Sequence, residues 1–145
     1  TNDIDTFSSI LDGLENLDHQ VVFPVHPRIR KLVEILHRAN YYKNIKFIEP
    51  LGYIDMIYFT KNAVKIITDS GGLHKEAFLM KVPAVVILRG SAWEETLNGK
   101  CNILCLPNKD DIIQKTLNTQ IDYSFYNNNY YGDGTASIQI TNIIK

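Results

Sequence analysis

The residues best placed to do chemistry follow short apolar runs. Thr68-Asp69-Ser70-Gly71-Gly72 ends one such run and opens an amphipathic stretch. Two adjacent glycines remove Cβ atoms, so a ligand can touch the backbone. The first N–H groups of a helix have no partner inside it, and the helix dipole adds partial positive charge there. That combination holds phosphates without many Lys or Arg side chains, and the Ser70 hydroxyl adds one more donor. The same residues also fit a plain turn, with Asp or Ser capping the helix. Glu76 lies six residues beyond Ser70, roughly 9 Å along a helix axis. From there its carboxylate reaches the ribose of a nucleotide whose diphosphate sits on the helix start, or it is a solvated surface group.

His26, in Pro24-Val25-His26-Pro27-Arg28, also follows an apolar run. A histidine there donates to a phosphate oxygen, moves a proton near neutral pH, or caps a helix. Arg28 and Arg30 open a helical stretch, where cations are mildly unfavourable with the dipole, which favours a nearby anion. Arg89 ends another apolar run and is expected at the same edge. Tyr53 and Trp93 either stack on a base or cover the core, and cover is the better reading for Trp93. His19, His37 and His74 have polar neighbours and read as surface residues. No His/Asp/Glu cluster has metal-ligand spacing.

The elements that must position these groups alternate. Helical spacing over residues 3–17 precedes a strand at 21–25. A helix then starts near Pro27, where a missing N–H costs nothing. Further strands are expected at 45–48, 64–68, 83–88 and 102–106, with helices at 53–61, 71–81, 93–99, 110–117 and 135–144. Residues 126–134 read as a loop. Alternation of this kind specifies an α/β fold with a parallel, doubly wound, Rossmann-like sheet and right-handed crossovers. Such sheets bind ligands beyond the carboxyl ends of their strands, which is where His26, Ser70 and Arg89 fall.

The chain's 145 residues suit one domain. With 15 basic and 16 acidic side chains the net charge is −1. That balance offers no electrostatic footprint for nucleic acid or an anionic membrane, and no apolar run approaches the roughly 18 residues of a membrane helix. Cys101 and Cys105 read as buried free thiols, which implies a reducing, cytoplasmic setting. The opening Thr-Asn-Asp lacks Met and runs straight into a helical pattern, which suggests a piece of a longer protein; Met removal is the alternative.

Four stretches together resemble the non-hydrolysing UDP-N-acetylglucosamine 2-epimerases: Pro24-Val25-His26-Pro27-Arg28, Pro50-Leu51-Gly52-Tyr53, Thr68 through Gly72 with Glu76-Ala77, and Asn129-Tyr130-Tyr131-Gly132-Asp133-Gly134. Their order matches the family's C-terminal half over almost the whole chain. Thr1-Asn2-Asp3 resembles the stretch just after the family's His-Arg-x-Glu-Asn motif. The resemblance implies one half of a GT-B-type enzyme, with residues 1–145 as the UDP-binding domain and the N-terminal half absent. It implies that Ser70, Gly71 and Gly72 hold the diphosphate and Glu76 the ribose. His26 would lie near the phosphates in a catalytic or leaving-group role, and residues from Leu51 to Met56, Tyr53 among them, would line the uracil pocket. The family interconverts UDP-GlcNAc and UDP-ManNAc by eliminating and re-adding UDP, without a metal or nicotinamide cofactor. Its acid–base carboxylates come from the N-terminal domain. A homodimer of the full-length enzyme is left open.

Some positions depart from the family pattern. Ala92 stands where a Glu is usual, Gly99 is displaced by one, Met56 replaces an aromatic residue and His74-Lys75 replaces a Gln-Glu-like pair. These leave the exact UDP-sugar open, a diacetamido sugar included. Competing readings are the donor domain of a GT-B glycosyltransferase and a non-catalytic UDP-sugar-binding module.

Overall fold

Asp3 starts the first helix by accepting hydrogen bonds from the backbone N–H groups of Asp5 and Thr6. The structure, a computed structural model, describes residues 3–40 and 42–144, apart from the side chains of residues 39 and 40. Helix α1 (Ile4–Glu15) leads to β1 (Val21–Pro24), a 3₁₀ turn (Pro27–Ile29), α2 (Arg30–Asn40) and β2 (Ile45–Ile48). Helix α3 (Tyr53–Asn62), β3 (Ile66–Thr68), α4 (Gly71–Leu79) and β4 (Ala84–Val86) follow. A kinked 3₁₀ segment (Glu94–Lys100), β5 (Asn102–Leu104), α5 (Lys109–Asn118), a further 3₁₀ turn (Tyr123–Asn127) and α6 (Ala136–Ile144) complete the order.

All strand pairs are parallel, as the alternation predicts. Among the described residues the strands form two pieces, β1–β2 and β3–β4–β5, with no pairing between β1 and β3. Helices cover both faces. Val85 packs into a core with Phe7 and Leu11 of α1 and Ile112 of α5. Its neighbours Ala84 and Val86 turn the other way, onto Ala77 of α4. This period-two division of one short strand between two helical layers makes the sheet doubly wound.

The strands are shorter than the apolar runs. Strand β4 ends at Val86, where Leu88 N–H turns back to the Val86 carbonyl at 2.8 Å. Arg89 therefore lies in a turn beyond the strand, exposed. The expected loop at 126–134 begins inside the 3₁₀ turn at Tyr123–Asn127. Gly99 has φ +61°, and a Cβ there would lie 2.5 Å from the Phe125 ring. Its shifted position thus serves the packing of this chain. Cys101 and Cys105 are buried free thiols, and burial pushes Cys105 up to about 12. Among the described residues no helix is long and apolar enough to cross a membrane.

Candidate functional site

Ser70 is the N-cap of α4. Its hydroxyl oxygen accepts from the Leu73 N–H at 3.3 Å, and its own N–H donates to Thr68 Oγ1 at 3.0 Å. Capping is therefore observed, and it satisfies the Leu73 donor while Gly71 and Gly72 stay exposed. Neither glycine is demanded by the chain itself. Neither lies in the left-handed region, a Cβ on Gly71 would meet nothing within 4 Å, and one on Gly72 would meet only Ser70 Oγ at 3.9 Å. The contrast with Gly99 is physical: that glycine relieves a clash inside the protein, whereas these two keep open the approach to a helix start. Glu76 lies half-buried on the same helix, as the spacing required.

His26 caps the 3₁₀ turn, with Nδ1 accepting from the Arg28 N–H at 3.2 Å. That bond leaves the proton of the neutral ring on Nε2, so the exposed face of the imidazole presents a donor. Pro27 occupies the first position of the turn, which explains why the helix begins where it does. Arg28 is exposed. Arg30 is engaged instead by Glu49, at 2.5 Å from Nη2 to Oε2, so its position at a helix start is balanced by a carboxylate from the end of β2. Leu51 and Met56 are half-buried and Tyr53 is 67% exposed around the first turn of α3.

Three features escaped the sequence reading. The Trp93 indole Nε1–H donates to the Gly71 carbonyl at 3.0 Å. Lys75 Nζ lies 4.0 Å from the Trp93 ring centroid and 4.3 Å from that of Tyr131, a cation–π arrangement. The Tyr131 hydroxyl holds the Glu95 carboxyl below its ordinary value, while burial and that carboxylate raise the Tyr131 phenol. Trp93 is thus more than core cover, because it ties the loop after β4 to the first residue of α4. His74 is also a correction: it is 1% exposed, not a surface residue. Its Nε2 lies 3.3 Å from Ser91 Oγ, its carbonyl accepts from Asn102 Nδ2 at 2.9 Å, and burial lowers its pKa. An isolated helix pattern cannot reveal a residue that faces a neighbouring loop. The Tyr131–Gly134 stretch is a turn: Gly132 and Gly134 have φ +76° and +85°, and Asp133 accepts from Thr135 N–H and Oγ1 ahead of α6.

An open helix start and a half-buried carboxylate thus share α4, and an exposed imidazole donor follows β1. Such a helix start can hold an anionic ligand through backbone N–H groups. No group of three metal-ligating side chains occurs among the described residues.

A sequence model of the family described as UDP-N-acetylglucosamine 2-epimerase matches residues 1–145. A UDP-N-acetylglucosamine 2-epimerase homolog of Methanococcus maripaludis is 36% identical over 95% of the chain and 41% of its own length. UDP-2,3-diacetamido-2,3-dideoxy-D-glucuronate 2-epimerase of Pseudomonas aeruginosa is 30% identical over 97% of the chain and 40% of its own length. The UDP-GlcNAc 2-epimerase of Methanocaldococcus jannaschii, solved with UDP-GlcNAc and UDP, superposes with a TM-score of 0.79 at 30% identity, covering 99% of this chain and 41% of that one. The chain thus spans about two fifths of the length of the relatives it matches.

Proposed function

The chain belongs to the UDP-N-acetylglucosamine 2-epimerase family, and we propose that it is the C-terminal, UDP-binding half of a two-domain GT-B-type epimerase acting on UDP-GlcNAc. The observation that carries this reading is the pair of exposed glycines at the start of α4, which no contact within the chain requires. The N–H groups of Gly71 and Gly72 receive the diphosphate, Ser70 flanks it, and Glu76 accepts from the ribose hydroxyls. The His26 Nε2–H, with Arg28 and Arg89 at the rim, stabilises the charge that develops as UDP leaves the sugar. Leu51, Tyr53 and Met56 form the wall against uracil. The Methanocaldococcus jannaschii relative with UDP-GlcNAc and UDP supports this choice of ligand.

Removing and returning the C2 proton requires acid–base groups on both faces of the sugar. The groups assigned here to the ligand, His26, Ser70, Gly71, Gly72 and Glu76, include a single carboxylate, so the proton transfers belong to the other domain and this chain alone does not epimerise. Opening the cleft also leaves the unsaturated sugar intermediate free to diffuse into water. The test is NMR detection of UDP-ManNAc after long incubation of the purified chain with UDP-GlcNAc. No product is expected from the chain alone, and activity is expected when the upstream half is present. Turnover by the chain alone near 1 per second, roughly that of an ordinary enzyme, would overturn the division of labour.

A further inference from the structure

Two cations near helix starts are held by opposite means. Arg30, at the start of α2, lies against the Glu49 carboxylate at 2.5 Å, so its charge is neutralised within the chain. Lys75, one turn into α4, is held by rings. Its Nζ lies 4.0 Å from the Trp93 ring centroid and 4.3 Å from that of Tyr131. Both distances fall inside the roughly 6 Å reach of a cation–π contact. The two rings meet edge to face, with centroids 6.2 Å apart and planes at 79°. Among the described residues no ion pair includes Lys75. The Glu95 carboxyl feels the ammonium, but less than it feels the Tyr131 hydroxyl.

A ring face attracts an ammonium through its quadrupole and carries no net charge. Trp93 and Tyr131 therefore fix Lys75 in place without cancelling its charge. An ammonium has three N–H donors, so donor capacity remains for an acceptor beyond the two rings. Ordering the flexible lysine stem in advance also lowers the entropy cost that a ligand meets on binding.

The stem is directed at the helix start. Helical side chains lean toward the N-terminus, and residues four apart share a face. Lys75 is four residues beyond Gly71, so it runs back toward the position where a Cβ on Gly71 would meet nothing within 4 Å. Trp93 makes the same connection independently. Its Nε1–H donates to the Gly71 carbonyl at 3.0 Å, and its ring face takes the ammonium. One indole thus touches both the open helix start and a positioned cation whose charge is not cancelled.

We propose that Lys75 is a further ligand-binding residue, its ammonium donating to a phosphate oxygen of the diphosphate at Gly71 and Gly72, with Trp93 and Tyr131 as its positioning residues. The cation selects ligands that carry a diphosphate over the uncharged nucleoside. This inference rests on the reading of α4 as a nucleotide-binding helix.

Binding of UDP by calorimetry and of uridine by NMR titration tests it, on the polypeptide containing both halves. Lys75→Met keeps an apolar stem against the rings and removes the charge. It is expected to weaken UDP binding at least about tenfold, as loss of a charge-assisted hydrogen bond does, and to change uridine binding by less than about twofold, the scatter of an ordinary surface substitution. Lys75→Arg keeps both the charge and the ring contact and is expected to recover most of the UDP affinity. Equal losses for UDP and uridine would make Lys75 a structural strut and overturn the proposal, as would a loss in Lys75→Arg as large as in Lys75→Met. UDP binding by the wild type that Lys75→Met leaves unchanged overturns this inference alone, whereas no UDP binding by the wild type overturns the nucleotide reading and this inference with it.

Discussion

The indole Nε1–H of Trp93 donates to the carbonyl oxygen of Gly71 across 3.0 Å. The donor follows β4 and the acceptor follows β3, so one hydrogen bond joins two adjacent strand-end loops at the proposed diphosphate position. The bond uses the carbonyl of Gly71 and leaves the Gly71 and Gly72 N–H groups for a ligand. Lys75 lies over the same indole ring and brings a cation within a turn of the helix start.

Trp93→Phe retains an aromatic face for Lys75 but removes the N–H. Urea unfolding should show a loss of about 0.5–1.5 kcal/mol, the net worth of one such hydrogen bond. UDP affinity should fall as well, because the first turn of α4 is less well fixed. Unaltered stability together with unaltered affinity would reduce the bond to an incidental surface contact.

The two classes of glycine separate in a paired experiment. Gly99→Ala meets the Phe125 ring and a left-handed backbone, and denaturation should report a cost of about 1–3 kcal/mol. Gly71→Ala has open space and should leave stability within about 0.5 kcal/mol of the wild type while weakening UDP binding. A Gly71→Ala protein as destabilised as Gly99→Ala would mean that the helix start is constrained from within.

Glu76→Ala should weaken UDP binding by about 1.5–3 kcal/mol, the range for hydrogen bonds to a charged group. The loss should be much smaller for 2′,3′-dideoxy UDP, which lacks the hydroxyls. Equal losses with both nucleotides would return Glu76 to the role of a surface carboxylate.

His74 predicts a pH dependence. Burial lowers its pKa from the ordinary 6.5, so the unfolded chain binds the proton more readily than the folded one. Its contribution is therefore fully present above about 6.5 and is lost as pH falls below that value toward the lowered folded pKa. Unfolding free energies between pH 7 and 5 should decline for the wild type and decline less for His74→Gln. Parallel profiles would assign the acid sensitivity to other groups.

Much of this was legible because the signals are local. Pro27 and the run before it locate β1 and the turn that His26 caps, and the 3.6-residue period from Ile4 to Leu14 marks α1. Ser70, Gly71 and Gly72 could be read as a helix start because caps and glycines act over a few residues. What stayed hidden depends on tertiary neighbours. Nothing near His74 in sequence indicates that Ser91 and Asn102 enclose it, and nothing near Trp93 indicates Gly71. Arg30 looked like a free cation because its partner Glu49 lies at the end of another strand. The division of the strands into β1–β2 and β3–β4–β5 was also invisible, since alternation specifies parallel strands but not which of them pair.

The central claim is that this domain holds UDP through the backbone at Gly71 and Gly72, and calorimetry of UDP binding to the polypeptide containing both halves tests it most directly, with Gly72→Val as the variant. The account predicts measurable binding by the wild type and a loss of at least about tenfold in the variant, about 1.4 kcal/mol, with folding intact by circular dichroism. An affinity unchanged by Gly72→Val would contradict it.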